Sequence, residues 1–381
     1  MRIVIAPDKF KGSLTAPQVA AHLRAGLLAA DPALSVDVVP VADGGEGTLD
    51  AALAAGFTLH TAVVSGPTGE QIEAPLAIRG TTAVIEMALA SGLAVLPGGV
   101  LKAREASSRG TGELIRYALD EGCTSIVLGV GGSANTDGGA GMLTGLGAVL
   151  LDDAGNPLPP GGGALADLAR IDLFGLDPRL ANAAFVLASD VDNPLLGPNG
   201  AAAVFGPQEG ATPDDVAHLD RSLARFVDVL AKELGSRVRA AADAPGAGAA
   251  GGVGYAALAV LDAERRPGID VVLELTGLAG RLEDARLVIT GEGSLDEQSL
   301  GGKTPLGVAT AAGDIPVIAV CGRTTLTQAQ AAEAGFEAVY ALTDLEPDVA
   351  KCIAHAGPLL EQVGQNIAAH IGVGAGKGGK P

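Results

Sequence analysis

The sequence predicts an α/β protein of two domains, the first of which is built from both ends of the chain. Two observations carry this prediction. Short apolar runs alternate with Ala- and Leu-rich stretches of helical period, and this alternation is typical of parallel sheets covered on both faces by crossover helices. The chain also has 381 residues, and at roughly 100–200 residues per domain this length suits two domains or one large one.

A βαβα unit is predicted at the amino terminus. It consists of strand 3–6, helix 16–29, strand 36–41 and helix 48–55. Ser13 or Thr15 can cap the first helix, and Pro17 suits its first turn, where no backbone donor is needed. Further strands are predicted at residues 83–86, 125–129, 184–188, 287–290, 316–320 and 338–341.

The chain is predicted to cross between the two domains twice. A polar, turn-rich stretch follows Pro67, and strand 287–290 begins a second regular alternation of strands and helices. We therefore predict a discontinuous domain of residues 1–68 and 286–381, with residues 69–285 inserted as a second α/β domain.

Composition and charge exclude several classes of protein. The net charge is −19 and the pI is about 4.6, so the surface as a whole repels phosphate backbones and anionic lipid headgroups. Apolar residues make up 48% of the chain and charged residues 18%, which does not fit intrinsic disorder, and no apolar run is long enough for a bilayer span. We predict a soluble globular protein with no nucleic-acid or membrane partner.

The cysteines and the first residues favour a cytoplasmic location. Cys123, Cys321 and Cys352 are far apart, show no C-x-x-C spacing and are too few for a disulfide framework. Residues 1–8 lack the apolar stretch and cleavage site of a signal peptide, and we interpret them as the first strand.

Glycine is abundant, at 56 of 381 residues, and clusters between apolar runs. Residues 301–304 (Gly-Gly-Lys-Thr) fail the phosphate-loop pattern because Glu297 stands where its first glycine is required. Residues 246–251 match the dinucleotide fingerprint but do not follow a strand. Residues 129–134 match it in its terminal-Ala form, and they do follow a strand.

The loop that begins at residue 129 therefore has alternative interpretations. Asp152 or Asp153 lies roughly 20 residues further on, where a ribose-binding acid is expected, which keeps an NAD-dependent oxidoreductase open. The polar run 135–142 continues the loop instead of entering an apolar helix, and this favours backbone amides that wrap a phosphate. The structural alternative is that the glycines only make tight turns and close packing.

Acidic side chains follow four predicted strands, at the edge where ligands gather in open parallel sheets. They are Asp8, Asp43, Glu46, Asp190, Asp192, Glu292 and Asp296. One such acid can simply cap the next helix, but similar loops also contain Lys9, Lys11 and Lys303. Carboxylates and lysines together suit phosphoryl transfer, in which catalysis is mostly positioning and charge neutralisation. The sequence has no H-x-x-x-H or Cys/His cluster for zinc and no G-x-S-x-G motif of a nucleophile-elbow hydrolase.

Six ordered blocks resemble the bacterial type I glycerate kinases. They are residues 6–14, 42–48, 109–115, 131–139, 189–201 and 289–303. Two departures are small: Lys9 stands where a serine is usual, and residues 134–136 permute the usual small polar residues. The resemblance implies two α/β domains, one of them Rossmann-like and formed from both termini, with the active site in the cleft between them. It also implies ATP and D-glycerate as substrates, Mg²⁺ as cofactor and 2-phospho-D-glycerate as product.

The resemblance and the chemistry of glycerate together predict the site residues. A carboxylate needs a cation or backbone amides, and hydroxyls need acids or amides that orient them. The predicted substrate-binding residues are Asp43, Gly44, Gly45, Glu46 and Arg109. The predicted nucleotide-binding residues are Ser13, Gly131, Gly132, Ser133, Asn135 and Lys303. Glu292 and Asp296 are the predicted ligands of Mg²⁺. The predicted catalytic residues are Lys11, which meets the phosphates, and Asp190, the base for the substrate hydroxyl.

Two other function classes stay open. One is the NAD-dependent oxidoreductase, and the other is a non-catalytic sensor of a sugar acid. Residue chemistry alone does not separate transfer to the 2-hydroxyl from transfer to the 3-hydroxyl. It also leaves the oligomeric state open, a homo-oligomer included.

Overall fold

The computed structural model describes residues 1–297, 299 and 304–375 of the chain. The strands are β1 (Arg2–Pro7), β2 (Ser35–Val38), β3 (Thr58–Ser65), β4 (Gln71–Arg79), β5 (Thr82–Glu86), β6 (Ser125–Gly129), β7 (Val149–Leu151), β8 (Arg170–Asp172), β9 (Ala184–Ala188), β10 (Glu264–Arg266), β11 (Leu287–Leu295), β12 (Val317–Thr324) and β13 (Phe336–Ala341). The helices are α1 (Ala16–Ala30), α2 (Thr48–Ala54), α3 (Ala88–Ser91), α4 (Arg109–Asp120), α5 (Ala140–Gly145), α6 (Ala201–Phe205), α7 (Pro213–Leu234), α8 (Arg237–Ala242), α9 (Ala249–Ala259), α10 (Gly268–Thr276), α11 (Leu278–Leu282), α12 (Thr304–Ala312), α13 (Gln328–Glu333), α14 (Val349–Ala354) and α15 (Ala356–Ala375).

The chain forms two compact units. The first consists of Met1–Asp43, Asp50–Gly56 and the chain from Ile269 onward, and the second consists of Gly44–Leu49 and Phe57–Gly268. These bounds differ from the predicted boundaries at residues 68 and 286. The first crossing comes earlier because β3 pairs with β4 in the sheet of the second unit. The return also comes earlier, because α10 and α11 bury apolar side chains in the core of the first unit.

The first unit contains a five-stranded parallel sheet in the order β13-β12-β11-β1-β2. Alternate side chains of β1 enter two different apolar clusters. Val4 and Ala6 belong to one cluster, and Ile3 and Ile5 belong to the other. Because both faces of the sheet are buried, the predicted α/β class is confirmed for this unit.

Helix α1 follows the predicted bounds closely, and its first turn shows why. Thr15 and Gln18 form a reciprocal capping box, and Pro17 lies in the first turn. Thr15, and not Ser13, is therefore the cap. The helix packs against α15 with so little space that a Cβ added at Gly26 would lie 2.0 Å from the carbonyl oxygen of Glu361. Glycine at position 26 permits this approach.

The second unit contains a six-stranded mixed sheet in the order β10-β9-β6-β5-β4-β3. Its first four strands in this order are parallel, whereas β4 and β3 are antiparallel to their neighbours. Neither β3 nor β4 was predicted from the sequence, and β4 contains Pro75 and polar residues that are typical of turns. Strands β7 and β8 form a separate antiparallel pair.

Among the residues that the structure describes, no helix combines the length and the apolar character needed to cross a membrane.

Candidate active site

In the first unit, a buried carboxylate lies at the carboxyl end of β1. Asp8 is 6% exposed. Its Oδ1 accepts the backbone N–H of Lys9 at 2.6 Å and lies 3.7 Å from the Lys9 Nζ, and its Oδ2 accepts the hydroxyl of Thr304 at 2.9 Å. The Asp8 N–H donates to the carbonyl of Gly291 on β11. These contacts fix the carboxylate at the edge of the sheet where ligands are expected.

The pKa of Asp8 is raised to about 6. Burial is the main cause, the charge of Asp43 adds to it, and the ammonium of Lys9 opposes it. Asp8 and the predicted substrate residue Asp43 are therefore close enough to interact electrostatically. From the sequence, Asp8 was predicted as one of the acids at strand ends but was not assigned to the site. The residues around one strand end do not indicate whether its side chain is buried.

The two predicted metal ligands lie on and just after β11. Glu292 follows Gly291, whose carbonyl holds the amide of Asp8. The N–H of Asp296 donates to the Ser299 hydroxyl, and the Ser299 N–H donates to Asp296 Oδ1 at 3.3 Å. Both residues are half-buried. Mg²⁺ binds one or two protein carboxylates and completes its shell with water and phosphate, so this pair suits it chemically.

Within the described residues, no group of three or more His, Cys, Asp or Glu side chains is arranged to hold a metal ion. The assignment of Glu292 and Asp296 as ligands thus stays a prediction.

Lys11 and Ser13 lie in the loop between β1 and α1. Lys11 is exposed. The Ser13 hydroxyl donates to the carbonyl of Ile353 at 2.8 Å, and its N–H donates to the carbonyl of Phe10. The hydroxyl and the N–H of Ser13 thus both stabilise the loop. The contact of Ser13 with nucleotide stays a prediction. Lys303, with Gly301 and Gly302, lies outside the described residues.

In the second unit, the glycine loop 131–139 is built around the buried carboxylate of Asp137. This carboxylate accepts hydrogen bonds from the Ser108 N–H and hydroxyl, the Gly139 and Gly141 N–H groups and the Asn135 side-chain amide. Burial raises the pKa of Asp137, and the hydrogen bonds from Ser108 and the glycine amides oppose the rise. The network gives the loop one defined backbone path.

The side chains of Ser133 and Asn135 point into the protein. Asn135 is fully buried, and Ser133 is 3% exposed and donates its hydroxyl to Glu209 at 2.9 Å. Only the backbone around Gly131 and Gly132 reaches the surface of the loop. The Asn135 side chain therefore supports the loop through Asp137, and its contact with nucleotide stays a prediction.

The two fingerprint matches have other roles. After residues 129–134 the next helix, α5, begins only at Ala140, so the motif lacks the strand–turn–helix arrangement of a dinucleotide site. Asp152 holds a turn with Asn156 beside the pair β7–β8. In the second match, residues 246–251, the carbonyl of Gly251 accepts the Gly138 N–H at 2.9 Å. Residues 246–251 therefore pack against the glycine loop and support it.

The predicted substrate loop lies against the glycine loop and the Asp190 loop. A Cβ added at Gly44 would lie 2.6 Å from the Gly268 Cα, and one added at Gly129 would lie 2.5 Å from the Gly44 carbonyl oxygen. The N–H of Gly268 donates to Asp190 Oδ1 at 2.9 Å. Glu46 is exposed in the same turn. The second unit thus brings together three loops that were predicted separately.

Arg109 begins α4 and is 55% exposed. Its Nε donates to Glu113 Oε1 at 2.8 Å, and the Glu113 carboxylate also accepts the N–H and hydroxyl of Ser65. Although burial acts to raise the pKa of Glu113, the Arg109 and Ser65 donors hold it below its usual value. Glu113 thereby positions the guanidinium group of Arg109.

A sequence profile of the glycerate kinase family matches residues 3–372. The chain belongs to the glycerate kinase family. The family resemblance drawn from the six motif blocks is confirmed, and so is the prediction that the chain is an enzyme.

Relatives match over nearly their whole length. The chain is 45% identical to a glycerate kinase of Bacillus subtilis (strain 168), over 97% of this chain and 98% of that protein. It is 44% identical to a glycerate 2-kinase of Escherichia coli (strain K12), over 98% and 99%. A crystal structure from Salmonella typhimurium LT2, which carries the name glycerate kinase 2, is similar with a TM-score of 0.85 and 41% identity, and the match covers 98% of this chain and 99% of that chain. This likeness supports the α/β fold of the whole chain.

Four buried acidic residues of this glycerate kinase family member were not assigned to the site from the sequence. They are Asp8, Glu86, Asp137 and Glu209. Glu86 ends β5, and its carboxylate accepts the N–H of Leu49. Asp8 and Asp137 lie inside the motif blocks that carried the resemblance, so the blocks gave a signal. No pattern of spacing marks Glu86 or Glu209.

Proposed function

We propose that this member of the family transfers the γ-phosphoryl group of ATP to a hydroxyl of D-glycerate. The observation that carries the proposal is the meeting of the Gly44 turn, the Gly129–Gly132 backbone and the Asp190 loop in the second unit. Backbone amides in glycine loops bind phosphate, and a carboxylate at a neighbouring strand end can accept a hydroxyl proton.

The roles of the residues follow from their chemistry. The amides of Gly44 and Gly45 and the guanidinium of Arg109 would bind the glycerate carboxylate, while Asp43 and Glu46 would orient its hydroxyls. Asp190 would accept the proton of the attacking hydroxyl. These assignments are proposals for the second unit and the adjoining Asp43. The cleft between the two domains stays a prediction as the place of the reaction.

The other charged residues of the proposal belong to the first unit. Glu292 and Asp296 would hold Mg²⁺, which neutralises phosphate charge when bound. The lysines Lys11 and Lys303 would bind phosphate oxygens. The buried Asp8 holds the amide and ammonium of Lys9 in place and so keeps the loop of residues 9–14 against the sheet.

The product proposed is 2-phospho-D-glycerate. Support comes from the Escherichia coli relative, whose name specifies a 2-kinase. A cytoplasmic location and the presence or absence of a homo-oligomer remain predictions.

An ADP-release assay with ATP, Mg²⁺ and D-glycerate tests the function. We expect turnover that requires all three, with phosphorus NMR placing the new phosphate on carbon 2. Phosphate on carbon 3 would confirm the kinase activity and contradict 2-phospho-D-glycerate as the product. Absence of turnover, with binding of NAD but not ATP, would favour the oxidoreductase, and glycerate binding without turnover would favour the sensor.

Substitution of Arg109 tests the carboxylate contact. Arg109→Met should raise KM for glycerate by about ten-fold or more and change kcat little, because it removes binding that substrate and transition state share. Glu113 keeps its bonds to Ser65, so the local fold should persist. The matched control is Arg116→Met, an exposed arginine on the same helix, which should behave like the wild type. Equal KM values in the two variants would remove Arg109 from the site.

A further inference from the structure

Beneath the glycine loop lies a second buried carboxylate that the proposed chemistry does not use. Glu209 ends the 3₁₀ turn Gly206–Glu209 and is fully buried. Its Oε1 accepts the hydroxyl of Ser133 at 2.9 Å, and its Oε2 accepts the hydroxyl of Thr136. Glu209, which is distant in sequence, thus binds both ends of the Ser133–Thr136 segment.

These bonds act directly on the backbone that is proposed to bind phosphate. Ser133 follows Gly132, which has a φ of +65° and is exposed. On the other side of the loop, Gly132 accepts the N–H of Leu93, and Ala134 donates to the carbonyl of Ser91. The exposed backbone is therefore held between the Ser91–Leu93 segment and Glu209.

The surroundings of Glu209 disfavour its charged form. Burial raises its pKa to about 7, the nearby carboxylate of Asp137 adds to the rise, and the hydroxyls of Thr136 and Ser133 oppose it. The electrostatic influence on Glu209 comes from Asp137 and not from a cation. Like charges on two buried carboxylates repel strongly, which favours protonation of Glu209. In the protonated form one of the two hydroxyls turns to accept the carboxyl proton, and the other still donates.

Other charged groups on the adjoining segments have their own partners or lie in exposed positions. At the start of α7, Asp215 faces Arg104 at 3.6 Å and His218 bonds the carbonyl of Gly163. Lys102, Glu105 and Asp214 are exposed. Asp220 on α7 accepts the N–H of Gly197.

We propose that Glu209 is a positioning residue, which holds the Gly131–Gly132 backbone in the shape that binds nucleotide phosphate by bonding Ser133 and Thr136. The expected effect of Glu209 on KM for ATP rests on the proposed function. A Glu209 that only fills space would not couple nucleotide affinity to its protonation state. The coupling is therefore the property to measure.

The test compares the wild type with Glu209→Gln. The glutamine amide resembles the protonated carboxyl in shape and in having one donor and one acceptor, and a serine or threonine hydroxyl can turn to accept. We expect the enzyme to bind ATP well only when Glu209 is protonated. KM for ATP in the wild type should then rise by about ten-fold between pH 6 and pH 8, because the fraction of enzyme with protonated Glu209 falls by that factor. In Glu209→Gln this rise should be absent, with kcat close to that of the wild type at pH 6.

Glu233→Gln is the matched control, an exposed glutamate on α7 of the same unit. It should retain the pH dependence of the wild type. A Glu209→Gln variant that keeps the wild-type rise of KM, or that changes kcat alone, would overturn the proposal.

Hydrogen exchange of residues 131–139 provides a readout that does not need turnover. After correction for the intrinsic rate, exchange in the wild type should quicken from pH 6 to pH 8, and Glu209→Gln should stay protected. This result would support the positioning of the loop even if glycerate were not phosphorylated, so failure of the proposed function is distinguishable from failure of this inference. Should Glu209→Gln not fold, Ser133→Ala in the wild-type background is the second variant. Unchanged KM for ATP and unchanged protection in Ser133→Ala would overturn the proposal.

Discussion

Asp190→Asn is expected to lower kcat for glycerate phosphorylation by about 10²–10⁴-fold, the usual contribution of a general base. KM for glycerate should change much less, because the lost interaction belongs to the transition state. Asparagine keeps an oxygen that can accept the Gly268 N–H, which holds Asp190 at 2.9 Å. The variant should thus preserve the loop and lose only the ability to take a proton.

Asp192 offers the control for Asp190. It lies two residues further along the same loop, is exposed, and pairs with Arg265 at 2.7 Å. Asp192→Asn removes a carboxylate of the same type and should leave kcat within about two-fold of the wild type, because exposed ion pairs contribute little. Steady-state kinetics with varied glycerate compare the two variants. A kcat for Asp190→Asn as high as that of Asp192→Asn would assign the base to another residue.

Gly251→Ala is expected to destabilise the second unit by more than about 4 kcal/mol, which is exceptional for one substitution. A Cβ at this position would lie 1.7 Å from the Asn135 carbonyl oxygen and 2.7 Å from the Thr136 Cα. Both obstacles are backbone atoms of the glycine loop, so neither can move aside as a side chain would. Denaturant unfolding followed by circular dichroism measures the loss.

The control separates backbone strain from collision. Gly251 has a φ of +60°, and Gly122 has a φ of +85° with nothing within 4 Å of an added Cβ. Gly122→Ala should therefore cost only the left-handed conformation, about 1–2 kcal/mol. If Gly251→Ala cost no more than Gly122→Ala, the packing of residues 249–252 beneath the glycine loop would be contradicted.

Local signals explain which parts of the fold could be predicted. Helix α1 was predicted as 16–29 and runs Ala16–Ala30 because its start depends on Thr15, Pro17 and an apolar stripe that all lie within a few residues. Strands β3 and β4 were missed because they are stabilised by pairing with each other and with β5, a contact that no short window contains.

The site shows the same division. The glycine loop and the acids at strand ends could be predicted because glycine and carboxylate mark such loops by type. The inward direction of Asn135 could not, because it depends on Asp137 and on the path of a loop that Gly251 supports. Glu209 lies 73 residues from Thr136 in sequence, and only the folded chain brings them together.

The position of β1 between β11 and β2 has a consequence for protein synthesis. Residues 57–268 leave the ribosome before β11, the strand beside β1 in the first unit. We expect the second unit to fold on the nascent chain while β1 still lacks β11 and α1 still lacks α15. Helix α15, which packs against α1, is synthesised after β11. Strand β1 and helix α1 would therefore stay exposed until β11 and α15 are synthesised, and a chaperone that acts on this protein during translation would bind them in that interval.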